Sequence, residues 1–397
     1  MPVKIINPLT IVKTGGSPTP TPVGPKDPYE VYAEERPSGW WPMPDNEDVN
    51  DNEMYLLYHI AKPNQPPTPG DEWIFNFRGT AGSTITIEYG AMVSGEFVPD
   101  STKTETVSII NASTSYPHLF TMNYSDFPAN DLSNGDRQVM IKISSDGDIT
   151  QMIWQLPPTG PSDMGNSTIE GLVEFRGKAT KISSFYLGRS DQAGGPCKML
   201  FFSLLGENRL ISTNYLLGGS RNLLAVLELN TSSVTNMQQM FYGCSSLQSI
   251  PLLDTSSVTN MQQMFSSCYS LRHADLTSYD LTHITTTNYQ NFITSTAYNC
   301  VVKLDPTDSI PVAGLTRTFI TLGGSQTYPS YILIEDATTM LPLGANATTV
   351  FGTNQYVYVV VPDSMYETYT ADQYWATLGS RLVKRSETTL PSWYTGA

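Results

Sequence analysis

Eleven residues of this chain occur twice. Thr231 to Phe241 read TSSVTNMQQMF, and Thr255 to Phe265 read the same letters, an offset of 255 − 231 = 24. The frame extends beyond the identical core, because Cys244 pairs with Cys268 and Leu247 with Leu271. One period before Phe241, Gly243, Leu247 and Ile250 stand Leu217, Gly219, Leu223 and Val226. A period in the twenties with leucines at fixed phase specifies a solenoid, in which each unit buries its apolar face only on its neighbours. Within the unit, Leu247, Ile250 and Leu252 fit L-x-x-L-x-L, a short strand with alternate side chains inward. Ser256–Asn260 turns the coil, and Met261, Met264 and Phe265 form an inward-facing turn on the opposite wall. Methionine at such spacing fills cores rather than binding cofactors. A degenerate third coil repeats the Asp254 phase at Asp280, with Tyr289 and Phe292 replacing the methionine and phenylalanine. Cys244 and Cys268 share a phase and stand close enough for a bridge, but two buried thiols in a ladder are the favoured reading.

The segments around the repeat carry a different grammar. Residues 1–28 open with a β-like run containing Val3, Lys4, Ile5, Ile6, Leu9 and Ile11, followed by GGSPTPTPVGPKDP, a Pro-rich spacer. RPSGWWPMPD (36–45) places Trp40 and Trp41 where they cap a neighbouring core. The acidic run Asp45, Glu47, Asp48, Asp51, Glu53 lacks the turn glycine of a calcium loop, so it reads as a solvated loop. From Glu53 to Leu156, seven short segments rich in β-branched and aromatic residues alternate with turn residues: MYLLYHI, EWIFNFRG, TITIEYG, ETVSIIN, HLFTMNY, QVMIKISS and ITQMIWQL. That pattern predicts a β-sandwich. QLPPTGPSDMGNST (155–168) reads as a linker. The strands that follow, GLVEFRGKATKISSFYLGR and CKMLFFSLLG, cover the first coil. Near the C-terminus, SYILIED and YVYVVVPD read as strands, Ser364 and Glu367 as a capping box, and Asp372 as the start of a second helix. Trp375, Leu378 and Leu382 supply that helix's apolar face, the short helical lid on the last coil. The expected architecture is mainly β: an arm (1–28), an Ig/PKD-like sandwich (29–156), and a leucine-rich-repeat solenoid with a short helical C-terminal cap (157–397).

Charge and motif content narrow the function. A net charge of −15 and a pI near 4.6 disfavour nucleic acid and anionic membrane as partners, and no apolar run approaches a membrane span. The first residues lack the apolar core of a Sec signal, so export by that route is not expected. The four histidines, His59, His118, His273 and His283, form no H-E-x-x-H, and Cys-x-x-Cys is absent. His273 and His283 lie near Asp275 and Asp280, where a polar solenoid face outweighs an acid–base pair. No catalytic, metal or cofactor residues are assigned, and no cofactor is expected.

The repeat itself, VTNMQQMFYGCSSLQSI and VTNMQQMFSSCYSLRHADLTSYD, resembles that of BspA-like leucine-rich-repeat surface proteins. Their pattern runs roughly D-T-S-N-V-T-N-M-x-x-M-F-x-x-C-x-S-L-x-x-L-D-L-S. The ending YVYVVVPDSMYETY is similar to the segment that often closes such repeats. The resemblance covers about residues 210–300 and implies an adhesin without catalytic residues. ITIEYG (85–90) resembles a PKD-like strand, departing where Ala91-Met92 replace the Asp-Gly turn. RPSGWWPMPD resembles a motif of gut-bacteriophage fibre and decoration proteins, crAss-like head fibres among them. Together these resemblances imply a trimeric virion fibre assembled in the host cytoplasm. It would be anchored to other virion proteins through the arm and would bind a bacterial surface protein or glycan. A bacterial adhesin exported by a non-Sec route is the alternative, and a glycan-degrading enzyme the third reading. The recognition surface is expected at polar coil positions exposed by phase: Gln238, Gln239, Tyr242, Gln262, Gln263, Tyr269 and His273.

Overall fold

The computed structural model describes residues 26–60, 71–122, 132, 135–155, 171–187, 198–284, 287–306, 315–335 and 338–394. The arm residues Val3, Lys4, Ile5, Ile6, Leu9 and Ile11 lie outside these, as does the linker 155–168 beyond Gln155.

The first half is strand-built. A short helix α1 (Pro28–Glu35) precedes β1 (Glu53–Ile60), β2 (Asp71–Gly79), β3 (Thr84–Val93), β4 (Glu96–Ser108), β5 (Tyr116–Met122), β6 (Arg137–Ser145) and β7 (Ile149–Gln155). Each of the seven segments read from the sequence contributes to a strand, ETVSIIN only as far as Ser108, and β3 runs on past Gly90 through Ala91 and Met92. After 170 come β8 (Leu172–Lys178), β9 (Ser184–Leu187), β10 (Phe201–Leu205) and β11 (Ala225–Leu229). They assemble into two sheets, ordered β11-β10-β8-β1-β6-β3-β4 and β5-β2-β7-β9. Leu56 and Tyr58 of β1, Ile141 and Ile143 of β6, Phe75 and Phe77 of β2 and Phe185 of β9 share one core between these sheets. Alternation along β3, Ile85, Ile87 and Tyr89 inward with Thr86 and Glu88 outward, is what a half-buried antiparallel strand requires.

The large sheet changes character at β8. β1 pairs antiparallel with both β6 and β8, whereas β8, β10 and β11 run parallel. Parallel pairing is the geometry of stacked coils, and the chain continues from β11 into a β-solenoid of about seven turns. One ladder therefore runs from the first half as far as β11, and the solenoid wall beyond it is a separate five-stranded sheet. The wall strands are β13 (His273–Asp275), β15 (Val301–Leu304), β17 (Ser330–Ile334), β18 (Val357–Val361) and β19 (Leu382–Lys384), all parallel. The opposite side carries β12 (Phe265–Ser266), β14 (Ile293–Thr294) and β16 (Ile320–Thr321).

The duplicated motif lies on successive coils, as its period requires. The N–H of Met237 donates to Asn260 O (2.8 Å), that of Gln239 to Gln262 O (2.9 Å) and that of Phe241 to Met264 O (3.0 Å). Met237, Met240, Met261, Met264, Leu247 and Leu271 are buried, and Tyr289 and Phe292 fill the same phase of the third coil. The Asp254 phase also recurs: Asn230, Asp254 and Asp280 each accept the N–H and hydroxyl of the residue two further on. Cys244 and Cys268 are free and buried. Their thiols donate to the carbonyls of Leu217 and Phe241 at 3.2 Å, and burial pushes that of Cys268 up to about 12.

Three details depart from the sequence expectation. Leu252 is 80 % exposed and Leu253 takes the inward place. Pro251 has no N–H to give the ladder, so Ser249 makes only an isolated bridge to His273 and the strand ends there. The expected capping box does not form: α2 (Tyr366–Ala371) has Met365 at its N-cap, without a side-chain cap, behind a 3-10 turn at Asp363–Met365. The face assigned to Trp375, Leu378 and Leu382 belongs to no single helix. The 3-10 segment Trp375–Arg381 is broken inside at Gly379, where φ is 56°, and Leu382 opens β19. Asp372 does open that segment, accepting the N–H groups of Tyr374 and Trp375.

Positive φ recurs at one phase of successive coils, at Gly219 (83°), Gly243 (72°), Ser267 (63°) and Ser295 (56°), and at a second phase at Tyr215, Gln239, Gln263 and Asn291. A side chain there costs about 1 kcal/mol that glycine avoids. Ser267→Gly should therefore stabilise the chain, by up to about 1 kcal/mol after glycine's unfolded-state entropy is deducted. Urea denaturation beside Ser278→Gly, at an exposed site without positive φ, checks this. A lower midpoint for Ser267→Gly would refute it.

RPSGWWPMPD lies across the outer face of the large sheet. Met43 joins Tyr55, Leu57, Met140 and Val173, with Trp40 and Trp41 packed at the margin. The N–H of Trp41 donates to Gln138 Oε1, and Gln138 Nε2 donates to Gly39 O. His59 meets Trp40 edge to face at 4.8 Å. Burial pushes its imidazole from 6.5 down to about 4, against the opposing charge of Asp136. The unfolded chain takes up this proton first. Stability from the neutral ring is thus complete above pH 6.5 and lost as pH falls towards 4, by up to about 3 kcal/mol. His59→Gln should flatten the stability–pH curve in that window, and an unchanged slope would refute the assignment.

Candidate recognition surface

The residues expected to form a recognition surface lie in three different settings. Gln238, Gln239, Gln262 and Gln263 are brought together on the side of the solenoid opposite the wall strands. Gln239 and Gln263 hold φ of 54° and 55°, stacked on adjacent coils. Asn260 Nδ2 donates to Gln238 Oε1 (3.2 Å), and the Asn236 and Asn260 carboxamides accept the N–H of Gln238 and Gln262. These four glutamines are half-buried, as is Tyr242, so part of their polarity is spent on the coil turn. Asparagine at the turn serves because its side chain substitutes for a backbone acceptor.

His273 does not belong to an exposed face. It stands in register with Val301 and Tyr331 on the wall's outer side, 6 % exposed, with its ring 6.0 Å from Tyr394. Leu390, Trp393 and Tyr394 return over this part of the wall and pack with Tyr331, Leu333 and Val360. Burial lowers the His273 pKa, against the Asp275 charge. His283, the other member of the weighed pair, is exposed. Asp275 and Asp280 are engaged by Thr277 and Thr282, and Lys303 lies 3.6 Å from Asp275.

Tyr269 is where the phase places it, 60 % exposed on the turn leading into β13. Two further tyrosines, absent from the sequence expectation, stand on the corresponding turns of the next two coils, one residue out of ladder register with Tyr269, since His273 pairs with Val301. Tyr298 (60 % exposed) leads into β15 and Tyr328 (56 % exposed) into β17. The turns are tied by the N–H of Val301 to Arg272 O and that of Tyr331 to Cys300 O, both 2.8 Å. Offsets of 298 − 269 = 29 and 328 − 298 = 30 hide this row from a search at the 24-residue period.

Among the described residues no group of three or more His, Cys, Asp or Glu side chains is placed to hold a metal ion. No helix among them is long and apolar enough to cross a membrane. A groove of about 350 Å³ lies at the break in the wall, between Val31 of α1, Ala225, Pro251 and Asp275.

A family model described as "Mycoplasma protein of unknown function, DUF285" matches residues 215–311, about a quarter of the chain and the part that holds the repeat. No curated protein and no solved structure matches the chain.

Proposed function

We propose that this chain is a non-enzymatic display protein of a phage virion, a head or tail fibre or decoration protein that presents its solenoid for attachment to a bacterial surface. The observation that carries the reading is the solenoid's division of labour. Its interior is filled by apolar side chains from successive coils, while its turns present mainly polar and aromatic side chains. The DUF285 match over the repeat supports kinship with BspA-like surface proteins. In the proposed arrangement residues 1–28 anchor a trimer to other virion proteins, the strands up to β7 form an Ig/PKD-like spacer, and the segment 363–381 caps the last coil. Trp375 supports that cap, since it is fully buried, donates from Nε1 to Leu341 O (3.1 Å) and meets Tyr369 edge to face.

Deletion of residues 1–28 tests the anchor. The truncated chain should fold and fail to enter particles, whereas normal incorporation would refute it. The second reading, a bacterial surface adhesin, is favoured by the same solenoid and needs no particle. Finding the chain on uninfected cells by surface labelling would select it.

A further inference from the structure

We propose that the solenoid edge carrying Tyr269, Tyr298 and Tyr328 binds a neutral polysaccharide, each phenol ring stacking on a sugar face. The three rings stand on corresponding turns of successive coils, Tyr298 and Tyr328 in ladder register and Tyr269 one residue out of it, because His273 pairs with Val301 and Val301 with Tyr331. None of them makes a ring contact or a side-chain hydrogen bond among the described residues, and all three are more than half exposed. The middle ring has a built seat. A Cβ on Gly323 would meet Tyr298 Cδ1 at 3.1 Å and Thr296 O at 2.7 Å, so glycine at 323 is what lets Tyr298 lie against the next coil.

The surroundings select the class of ligand. The turns read SCYSLR (267–272), STAYNC (295–300) and SQTYPS (325–330), with hydroxyls in all three and a carboxamide in the last two. In a chain of net charge −15 these segments hold no carboxylate and one cation, Arg272. That balance offers little to an anionic polymer and no repulsion to a neutral one. A protein partner would need a broad patch, about 800 Å² per side with a central pocket; a row one side chain wide suits a linear chain. The stiff stacked turns spare the ligand the cost of ordering the site.

The inference deepens the attachment reading, from which it takes its biological setting, while the binding is measured independently. The full chain is run by affinity electrophoresis through gels containing neutral glucan, mannan, xylan or galactan, and through gels containing alginate or hyaluronate. At least one neutral polymer should retard it. Tyr269→Ala/Tyr298→Ala/Tyr328→Ala should weaken that binding by about tenfold or more, and the corresponding triple phenylalanine variant should stay within about twofold. Retardation by no neutral polymer, or only by the anionic ones, would overturn the proposal. So would equal retardation of the alanine variant, or cell-envelope binding abolished by proteinase and untouched by periodate. Glycan binding without particle incorporation would sink the virion reading alone, and incorporation without glycan binding would sink this one alone.

Discussion

Replacing Phe265 with alanine is expected to destabilise the chain by about 3–5 kcal/mol, and to do so unevenly along its length. Phe265 is fully buried at the junction of the second repeat copy with the third coil. Its ring stacks on Phe241 at 5.1 Å, only 4° from parallel, and meets Phe292 edge to face at 5.6 Å. Phe292 in turn stacks on Phe319 at 5.4 Å, so four coils share one aromatic column. Alanine at 265 removes both ring contacts and leaves a void that hydrogen-bonded backbone on each side keeps from collapsing, since Phe265 N–H donates to Phe292 O at 2.8 Å. In a stack where each coil is held by its neighbours, damage to one interface lowers the coupling across it. Hydrogen exchange should therefore show amides C-terminal to residue 265 opening at lower free energy than those of β1 and β6. Phe265→Leu, leaving a smaller void, should cost less than the alanine. A loss below about 1 kcal/mol for the alanine variant, or uniform loss of protection, would show that the coils are not coupled through this column.

How far the fold was readable depends on where the deciding contact comes from. Thr231–Phe241 and Thr255–Phe265 announce their coils because a solenoid contact is always one period away, and the identical letters expose that period. The strands from β1 to β7 announce themselves by alternation and turn residues. Leu252 misleads because leucine phase and proline chemistry conflict, and the missing N–H of Pro251 wins. His273 misleads for a different reason. Its phase does put it on the outer face, but Tyr394, more than a hundred residues later, covers it, and no local pattern encodes that return. Tyr298 and Tyr328 escape notice because their coils are longer than the repeat that defines the frame. The switch of the large sheet to parallel pairing at β8 is equally silent, since strand direction leaves no mark on alternation. Gln238 and Gln262 were legible as a pair, though not as side chains already engaged by the asparagines beside them.

Arg36→Met should cost about 3–5 kcal/mol, because it would strand a carboxylate inside the protein. Glu174 stands on β8 with 1 % of its side chain exposed, and Arg36 Nε donates to its Oε2 at 2.9 Å. The same guanidinium donates to the carbonyls of Trp40 and Trp41 and lies within 6 Å of the Tyr32 and Trp40 rings. One side chain thus neutralises the buried acid and folds RPSGWWPMPD back onto the sheet. Methionine keeps much of the bulk and none of the charge or donors. The double variant Arg36→Met/Glu174→Met removes both charges, and a well-packed apolar pair in such a site is often neutral or better. It should therefore recover much of the loss, which a double-mutant cycle in urea would read as strong coupling. The single variant should also free the strap locally, with tryptophan emission shifting to the red before the global transition. If Glu174→Met on the Arg36→Met background restores nothing, the cost lies in the lost carbonyl contacts of the strap, and the buried acid is not what makes Arg36 necessary.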